Sequence, residues 1–286
     1  EETMPKLKIQ GGNTLSGTIE ISGAKNSAVA LLPAALLCKT HSKILKVPKI
    51  RDIEYLLKII EVLNCTYEIK ENDKEIRVIF KIKTKNLENG FIGRASIKVI
   101  YVFSKIKNDF KILFKAKALD DTLLNLSNHI YWSFARDLSL EQYKLKFNAD
   151  RVALMRDDLL FFGVDDVPNY IDFRNARKIK GSNDFIRKNV SVGTIDNTFL
   201  FDSKIGKAIL KSDKYELKMK TNYPAMNIYL DNSLSDAKFN NRSDYGLMRG
   251  IALEPQLFVL DHDQITFYKG DIYDYKIEYS LKLLEK

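Results

Sequence analysis

Leu124-Asn125-Leu126-Ser127-Asn128-His129-Ile130-Tyr131-Trp132-Ser133-Phe134 carries one of three histidines and the only tryptophan of a 286-residue chain. Apolar and aromatic residues dominate it, and a short run of that kind reads as a buried or half-buried strand. Asn128 and His129 interrupt the run. An imidazole in apolar surroundings costs desolvation unless something pairs with it. Histidine is also the side chain that titrates nearest neutral pH and the commonest acid–base group in catalysis. Two readings stand side by side: a satisfied core histidine at a strand end, and a proton-transfer group.

The chain around this stretch has the composition of a folded protein. It is long enough for one large β domain or two ordinary ones, and 45% apolar residues with 16 Phe and 14 Tyr suffice for a core. The net charge is +9, from 46 Lys and Arg against 37 Asp and Glu. The lysines alternate with apolar residues, as in Lys111-Ile112-Leu113-Phe114-Lys115-Ala116-Lys117, which marks the solvated face of a strand rather than a nucleic-acid surface. Cys38 and Cys65 lie in separate apolar segments without metal-type spacing and read as packing residues in a reducing cytoplasm. The longest apolar run, Ser27 to Cys38, is too short to cross a bilayer, contains Pro33, and starts too late for a signal peptide. No nucleic-acid partner, membrane or metal is expected.

Residues 1–83 mix helix and strand signals. Lys6–Gln10 and Thr18–Ile21 alternate like strands around Gly11-Gly12-Asn13. The run to Cys38 reads as a buried helix and Ser42–Val47 as a strand. Pro48 breaks the pattern before Asp52, an N-cap, and Ile53, Leu56, Leu57 and Ile60 then follow on one helix face. Thr66–Ile69 and Glu75–Phe80 add two strands, so the unit reads βαβαββ. Lys81 to Asn89 is polar and without period, which puts a junction at 84–87. Within this unit Lys8-Ile9-Gln10-Gly11-Gly12-Asn13-Thr14-Leu15-Ser16-Gly17 and Ile21-Ser22-Gly23-Ala24-Lys25-Asn26 resemble the N-terminus of the UDP-N-acetylglucosamine enolpyruvyl (1-carboxyvinyl) transferases. The resemblance implies one repeat of an inside-out α/β barrel, with Lys25 and Asn26 as contacts to phosphoenolpyruvate and the UDP-sugar. A lysine at a helix entrance suits an anion, because the dipole and free N–H groups add to its charge. The family's catalytic loop, phosphate-binding arginines and catalytic aspartate have no counterpart further along, so the transferase reaction is not expected.

From 88 to 286 the signal is nearly all β. Ile97–Phe103, Phe110–Leu119, Leu138–Phe147, Tyr215–Met219, Ile228–Leu230 and Tyr275–Leu283 alternate or are dense in β formers. Turn clusters such as Asp231-Asn232-Ser233 and Phe239-Asn240-Asn241 separate them, and strands so spaced suggest a sandwich. Seven strings here resemble, in order, the C-terminal part of the aldose 1-epimerase (galactose mutarotase) family. They are Gly90-Phe91-Ile92-Gly93, Leu124–Phe134, Asn148-Ala149-Asp150-Arg151, Val167–Asn175, Ile195-Asp196-Asn197-Thr198-Phe199, Thr221–Leu230 and Gly250–Gln256. The fold class that follows is mainly β, a partial galactose-mutarotase-like β-sandwich over 88–286 preceded by the small α/β unit.

The second resemblance implies roles. The family's general acid falls on His129, its general base on Glu254 and its sugar-binding aspartate on Asp196. Asn128 and Tyr131, beside the histidine, are further candidate substrate contacts, with core packing as the other reading of Tyr131. Mutarotation opens a cyclic hemiacetal, lets the aldehyde carbon rotate and closes the ring. One group removes the anomeric hydroxyl proton while another protonates the ring oxygen, which a carboxylate and an imidazolium can do near neutral pH. No cofactor is needed, and the partner is a small-molecule hexose. The expected geometry is a donor and an acceptor on opposite sides of one pyranose-sized hollow. His262, after Asp261, reads as a surface loop residue, and Trp132 as core packing. The family's early strands, with a second histidine and an arginine that hold the sugar, have no counterpart, so self-association through exposed strand edges is expected. Two other readings stay open: a non-catalytic carbohydrate-binding or structural remnant, and a UDP-N-acetylglucosamine 1-carboxyvinyltransferase fragment acting through Lys25 and Asn26.

Overall fold

Alternating sequence becomes antiparallel sheet throughout the computed structural model, which describes residues 66–134, 142–156, 158, 160–189, 194–230 and 250–284. Lys25, Asn26, Cys38, Cys65 and the elements expected before residue 66 lie outside the described residues, as do the turn clusters at 231–233 and 239–241. In chain order the strands are β1 (Thr66–Glu71), β2 (Glu75–Lys83), β3 (Ala95–Ser104), β4 (Asp109–Ala118), β5 (Thr122–Leu123), β6 (Tyr131–Trp132), β7 (Lys144–Phe147), β8 (Ala149–Met155) and β9 (Phe161–Asp166). They continue as β10 (Arg177–Lys178), β11 (Asp196–Phe201), β12 (Gly206–Lys211), β13 (Tyr215–Thr221), β14 (Ala225–Leu230), β15 (Ile251–Gln256), β16 (Thr266–Phe267) and β17 (Ile272–Leu283). Two α-helices are described, α1 (Ile179–Asn189) and the single turn α2 (His262–Ile265).

Among the described residues the strands form a nine-stranded sheet in the order β1-β2-β3-β4-β17-β13-β12-β7-β10 and a six-stranded sheet in the order β6-β15-β14-β11-β8-β9. A two-stranded ribbon joins β16 to β5. The two sheets share one core. Ile112, Phe114, Leu217, Met219 and Ile277 of the larger sheet pack with Phe199, Ile228, Leu230, Ile251 and Leu253 of the smaller. Phe147 on β7 meets Phe199 on β11 with ring centroids 4.6 Å apart. This is a sandwich, each sheet turning alternate side chains inward. β17 shows the logic best. Tyr273, Ile277 and Tyr279 are buried on one face with Tyr275 half-buried among them, while Asp274, Lys276 and Glu278 face outward, and Lys115–Asp274 and Lys111–Glu278 pair across to β4.

The junction expected at 84–87 falls in the connection between two paired strands. β2 pairs with β3 along its whole length, from Glu75↔Ser104 to Lys83↔Ser96, so the last two strands of the βαβαββ unit belong to the nine-stranded sheet. The polar run that suggested a linker is a β-connection. Leu87 and Asn89 adopt positive φ (62° and 52°), and the Asn86 side chain accepts the Gly93 N–H at 2.8 Å. Gly93 itself has φ 75°, and a Cβ there would strike the Asp121 carbonyl.

Two other expectations change. Leu124–Ile130 is not a strand; only Tyr131 and Trp132 join the ladder, because the preceding backbone is held by side chains. The reading of 88–286 as almost all β also misses α1. Its buried positions are Ile179, Ser182, Asn183 and Ile186, a proper i, i+3, i+4, i+7 stripe, but two of the four are polar and hide the apolar period. His262 is exposed as expected, though it opens α2, whose N-cap Asp261 accepts the Gln264 N–H. No helix among the described residues is long and apolar enough to cross a membrane.

Candidate active site

The face of the six-stranded sheet turned away from the core collects polar side chains. Alternation sends Ile251 and Leu253 into the core and leaves Glu254 and Gln256 on the other side, since Ala252, Glu254 and Gln256 share a face. Register extends that face across the sheet: Asn227 sits opposite Glu254, Tyr229 opposite Ala252, Asp196 opposite Tyr229 and Thr198 opposite Asn227. At the edge, Tyr131 of β6 pairs with Ala252. His129 precedes it by two residues and lies beside it, with ring centroids 4.8 Å apart. Tyr229 completes a triangle, 6.2 Å from each ring. Gly250 makes room for this group, because a Cβ there would stand 2.6 Å from the Tyr131 side chain.

His129 and Glu254, 125 positions apart in the chain, meet here. The His129 Nε2 lies 3.4 Å from the Glu254 Oε1; the imidazole is 54% exposed and the carboxylate 14%. That oxygen is buried and has no hydrogen-bond partner among the described residues, and the imidazole approaches it outside hydrogen-bond geometry. Burial pushes the Glu254 carboxyl above its ordinary range; a charged His129 pulls it back and the Asp196 charge pushes it further up. Asp196 is held by a short polar chain. Asn227 Nδ2 donates to Asp196 Oδ1 at 3.1 Å, Thr198 Oγ1 donates to Asn227 Oδ1 at 3.0 Å, and Gln256 Nε2 reaches Thr198 Oγ1 at 3.4 Å.

Of the residues singled out in the sequence, His129, Tyr131, Asp196 and Glu254 therefore share one face. Asn128 does not. It is 7% exposed, its Oδ1 accepts the Tyr279 hydroxyl at 3.3 Å, and it points between the sheets, since successive residues of an extended chain face opposite ways. Trp132 packs against the core between Phe110 and Tyr279, as expected, with centroid distances of 5.9 and 5.0 Å. The expected arrangement of acid and base on opposite sides of a hollow is replaced by direct contact. A cavity of about 260 Å³ opens beside Asp196, lined also by Arg156, Asp165, Tyr170 and Asn197, but neither His129 nor Glu254 borders it. Asn227, Thr198 and Gln256 were not singled out, although Asn227 and Gln256 are polar residues between apolar neighbours, the same signal that marked Glu254. No group of three or more His, Cys, Asp or Glu side chains among the described residues is arranged to hold a metal ion.

Fold and site together define a galactose-mutarotase-like β-sandwich. The aldose 1-epimerase profile matches residues 62–280, about three quarters of the sequence, and the chain belongs to that family. The galactose 1-epimerase from Lactobacillus acidophilus NCFM superposes with a TM-score of 0.65 at 22% identity, over 76% of this chain and 66% of that one. An aldose epimerase homologue from C. elegans gives 0.65 at 24% identity, over 76% and 69%. Both likenesses speak to the fold. A second profile, EPSP synthase (3-phosphoshikimate 1-carboxyvinyltransferase), matches residues 9–97 and overlaps the first across β1 and β2. UDP-N-acetylglucosamine 1-carboxyvinyltransferase 2 of Staphylococcus epidermidis is 45% identical over 83 residues, and that of Staphylococcus aureus 44% over 70. The chain spans only 17–18% of the length of those relatives. It joins the start of one family to the later part of another.

Proposed function

We propose that this protein interconverts the α and β anomers of a free hexose, with Glu254 as base and His129 as acid. The observation that carries the reading is the 3.4 Å contact between Nε2 and Oε1 on a polar sheet face. The anomeric hydroxyl and the ring oxygen are bonded to the same carbon, so two groups this near each other can serve both. Glu254 takes the hydroxyl proton, the bond from C1 to the ring oxygen breaks, and that oxygen takes a proton from His129. Rotation about C1–C2 and the reverse steps close the other anomer. A carboxylate raised by burial is a stronger base near neutral pH than an ordinary one. Asp196, oriented by Asn227, accepts hydrogen bonds from sugar hydroxyls, and the exposed Tyr131 ring offers a face for the pyranose.

Polarimetry with freshly dissolved α-glucose or α-galactose tests this. The expected result is a rate above the buffer blank that disappears in the double variant His129→Ala, Glu254→Ala. A rate equal to the blank removes the proposal.

Sugar binding without turnover is the second reading, and the exposure of the His129 ring favours it, since over half of that side chain faces solvent. Galactose that changes Trp132 fluorescence without any polarimetric rate selects it. A UDP-sugar role for Lys25 and Asn26 rests on resemblance alone, and a melting temperature unmoved by UDP-N-acetylglucosamine removes it.

A further inference from the structure

Residues 124–130, between β5 and β6, have no ladder of their own, yet they carry the imidazole to its place. Their backbone is satisfied in an unusual way. The Leu126 N–H donates to the Tyr273 hydroxyl at 3.0 Å, and the Leu126 carbonyl accepts the Tyr223 hydroxyl at 2.6 Å. The two hydroxyls lie 2.9 Å apart, and that of Tyr273 also stands 3.2 Å from the same carbonyl. One assignment uses every proton once: Leu126 N–H to Tyr273, Tyr273 O–H to Tyr223, Tyr223 O–H to the Leu126 carbonyl. The circuit is closed around a single residue, three positions before His129.

Both tyrosines are fully buried and held by their neighbours. Tyr275 stacks on Tyr223 at 4.5 Å, and Phe267 meets Tyr273 at 5.3 Å. Phenylalanine would fill nearly the same volume without burying a hydroxyl, so the hydroxyls are costly here unless their bonds are needed. The same segment is tied to the strand of the base. Ser127 Oγ donates to the carbonyl of Pro255, next to Glu254, at 2.8 Å. The Asn125 amide exchanges two bonds with the backbone of Leu257, at 2.9 and 3.1 Å.

We infer that Tyr223 and Tyr273 are positioning residues for His129: their paired hydroxyls clamp Leu126 and so hold the imidazole against Glu254. The inference rests on the reading of His129 and Glu254 as acid and base, and it adds the larger sheet to the parts that set their separation. Tyr273 projects from β17, and Tyr223 from the turn after β13.

The test uses Tyr223→Phe and Tyr273→Phe, assayed well below their melting temperatures. The expected result is a kcat for anomer interconversion reduced about tenfold with little change in KM, because displacing a reacting group costs rate rather than affinity. Leu210→Ala, in the core under β12, is the control: it lowers the melting temperature and leaves kcat alone. In labelled protein, Glu254→Gln shifts the His129 ring resonances of the parent, and that response shrinks in both phenylalanine variants. Variants that lose stability but keep parental kcat and the parental ring response overturn the inference. A parent without any rate removes the acid–base reading, while the ring response still decides the positioning. Should neither variant fold, amide exchange in the unaltered chain decides. The Leu126 N–H is expected to be protected although it lies outside every ladder, and exchange as fast as in a free loop overturns the clamp.

Discussion

Glu254 is the residue whose chemistry depends most on where the fold puts it. Its carboxyl is raised by burial and by Asp196, so the folded chain binds that proton more tightly than the unfolded chain does. Stability therefore falls as pH rises from the ordinary carboxylate range through the raised value, and the full penalty is present above it. Glu254→Gln removes the ionisation, and its melting temperature is expected to exceed the parent's at pH 8 by a wider margin than at pH 4, as measured by thermal denaturation at both pH values. An equal margin at the two pH values contradicts the raised carboxyl. Both Glu254 and His129 were legible as polar residues set in apolar runs, where burial without a role is expensive. Asn128 gave the same signal and yet faces inward to Tyr279. Which of two adjacent polar residues faces the site depends on a pleat direction that composition does not encode.

Strands with clean alternation were legible as elements, and β17 is the clearest. It sits between β4 and β13, and Ile277 is fully buried there. Ile277→Ala should destabilise the protein by about 2–5 kcal/mol through lost burial and an unfilled cavity. Urea denaturation should show the midpoint lowered with an unchanged slope. Two elements escaped the sequence, one because its partners are remote and one because polar residues stand in its buried stripe. The Leu124–Ile130 segment has strand-like composition, but tyrosines from residues 223 and 273 and the main chain at 255–257 take its polar groups. Helix α1 buries Ser182 and Asn183 in place of apolar residues, so its period is visible only once burial is known.

At the scale of the whole molecule, one border of the six-stranded sheet bears on association. β9 borders the six-stranded sheet and, among the described residues, pairs only with β8. Leu160 and Phe162 stand 57% and 59% exposed beside that border, a combination that favours pairing with a second copy. Light scattering should report association that grows with concentration and is reduced by Phe162→Lys; an unchanged, monodisperse parent removes the expectation. Under the proposed function, added hexose should raise the melting temperature by mass action on the folded state, and an unmoved melting temperature counts against binding.

The sequence by itself determined the strands with clean alternation, β17 above all, and that strands so spaced build a sandwich, because period and β propensity are local properties of the chain; the roles expected of His129 and Glu254 came from the family resemblance. Only the tertiary structure decided that β1 and β2 join the large sheet, that Asn128 turns away, and that His129 and Glu254 touch rather than face each other across a gap. Those outcomes follow from strand register and from hydrogen bonds between residues a hundred or more positions apart, and no local pattern carries that information.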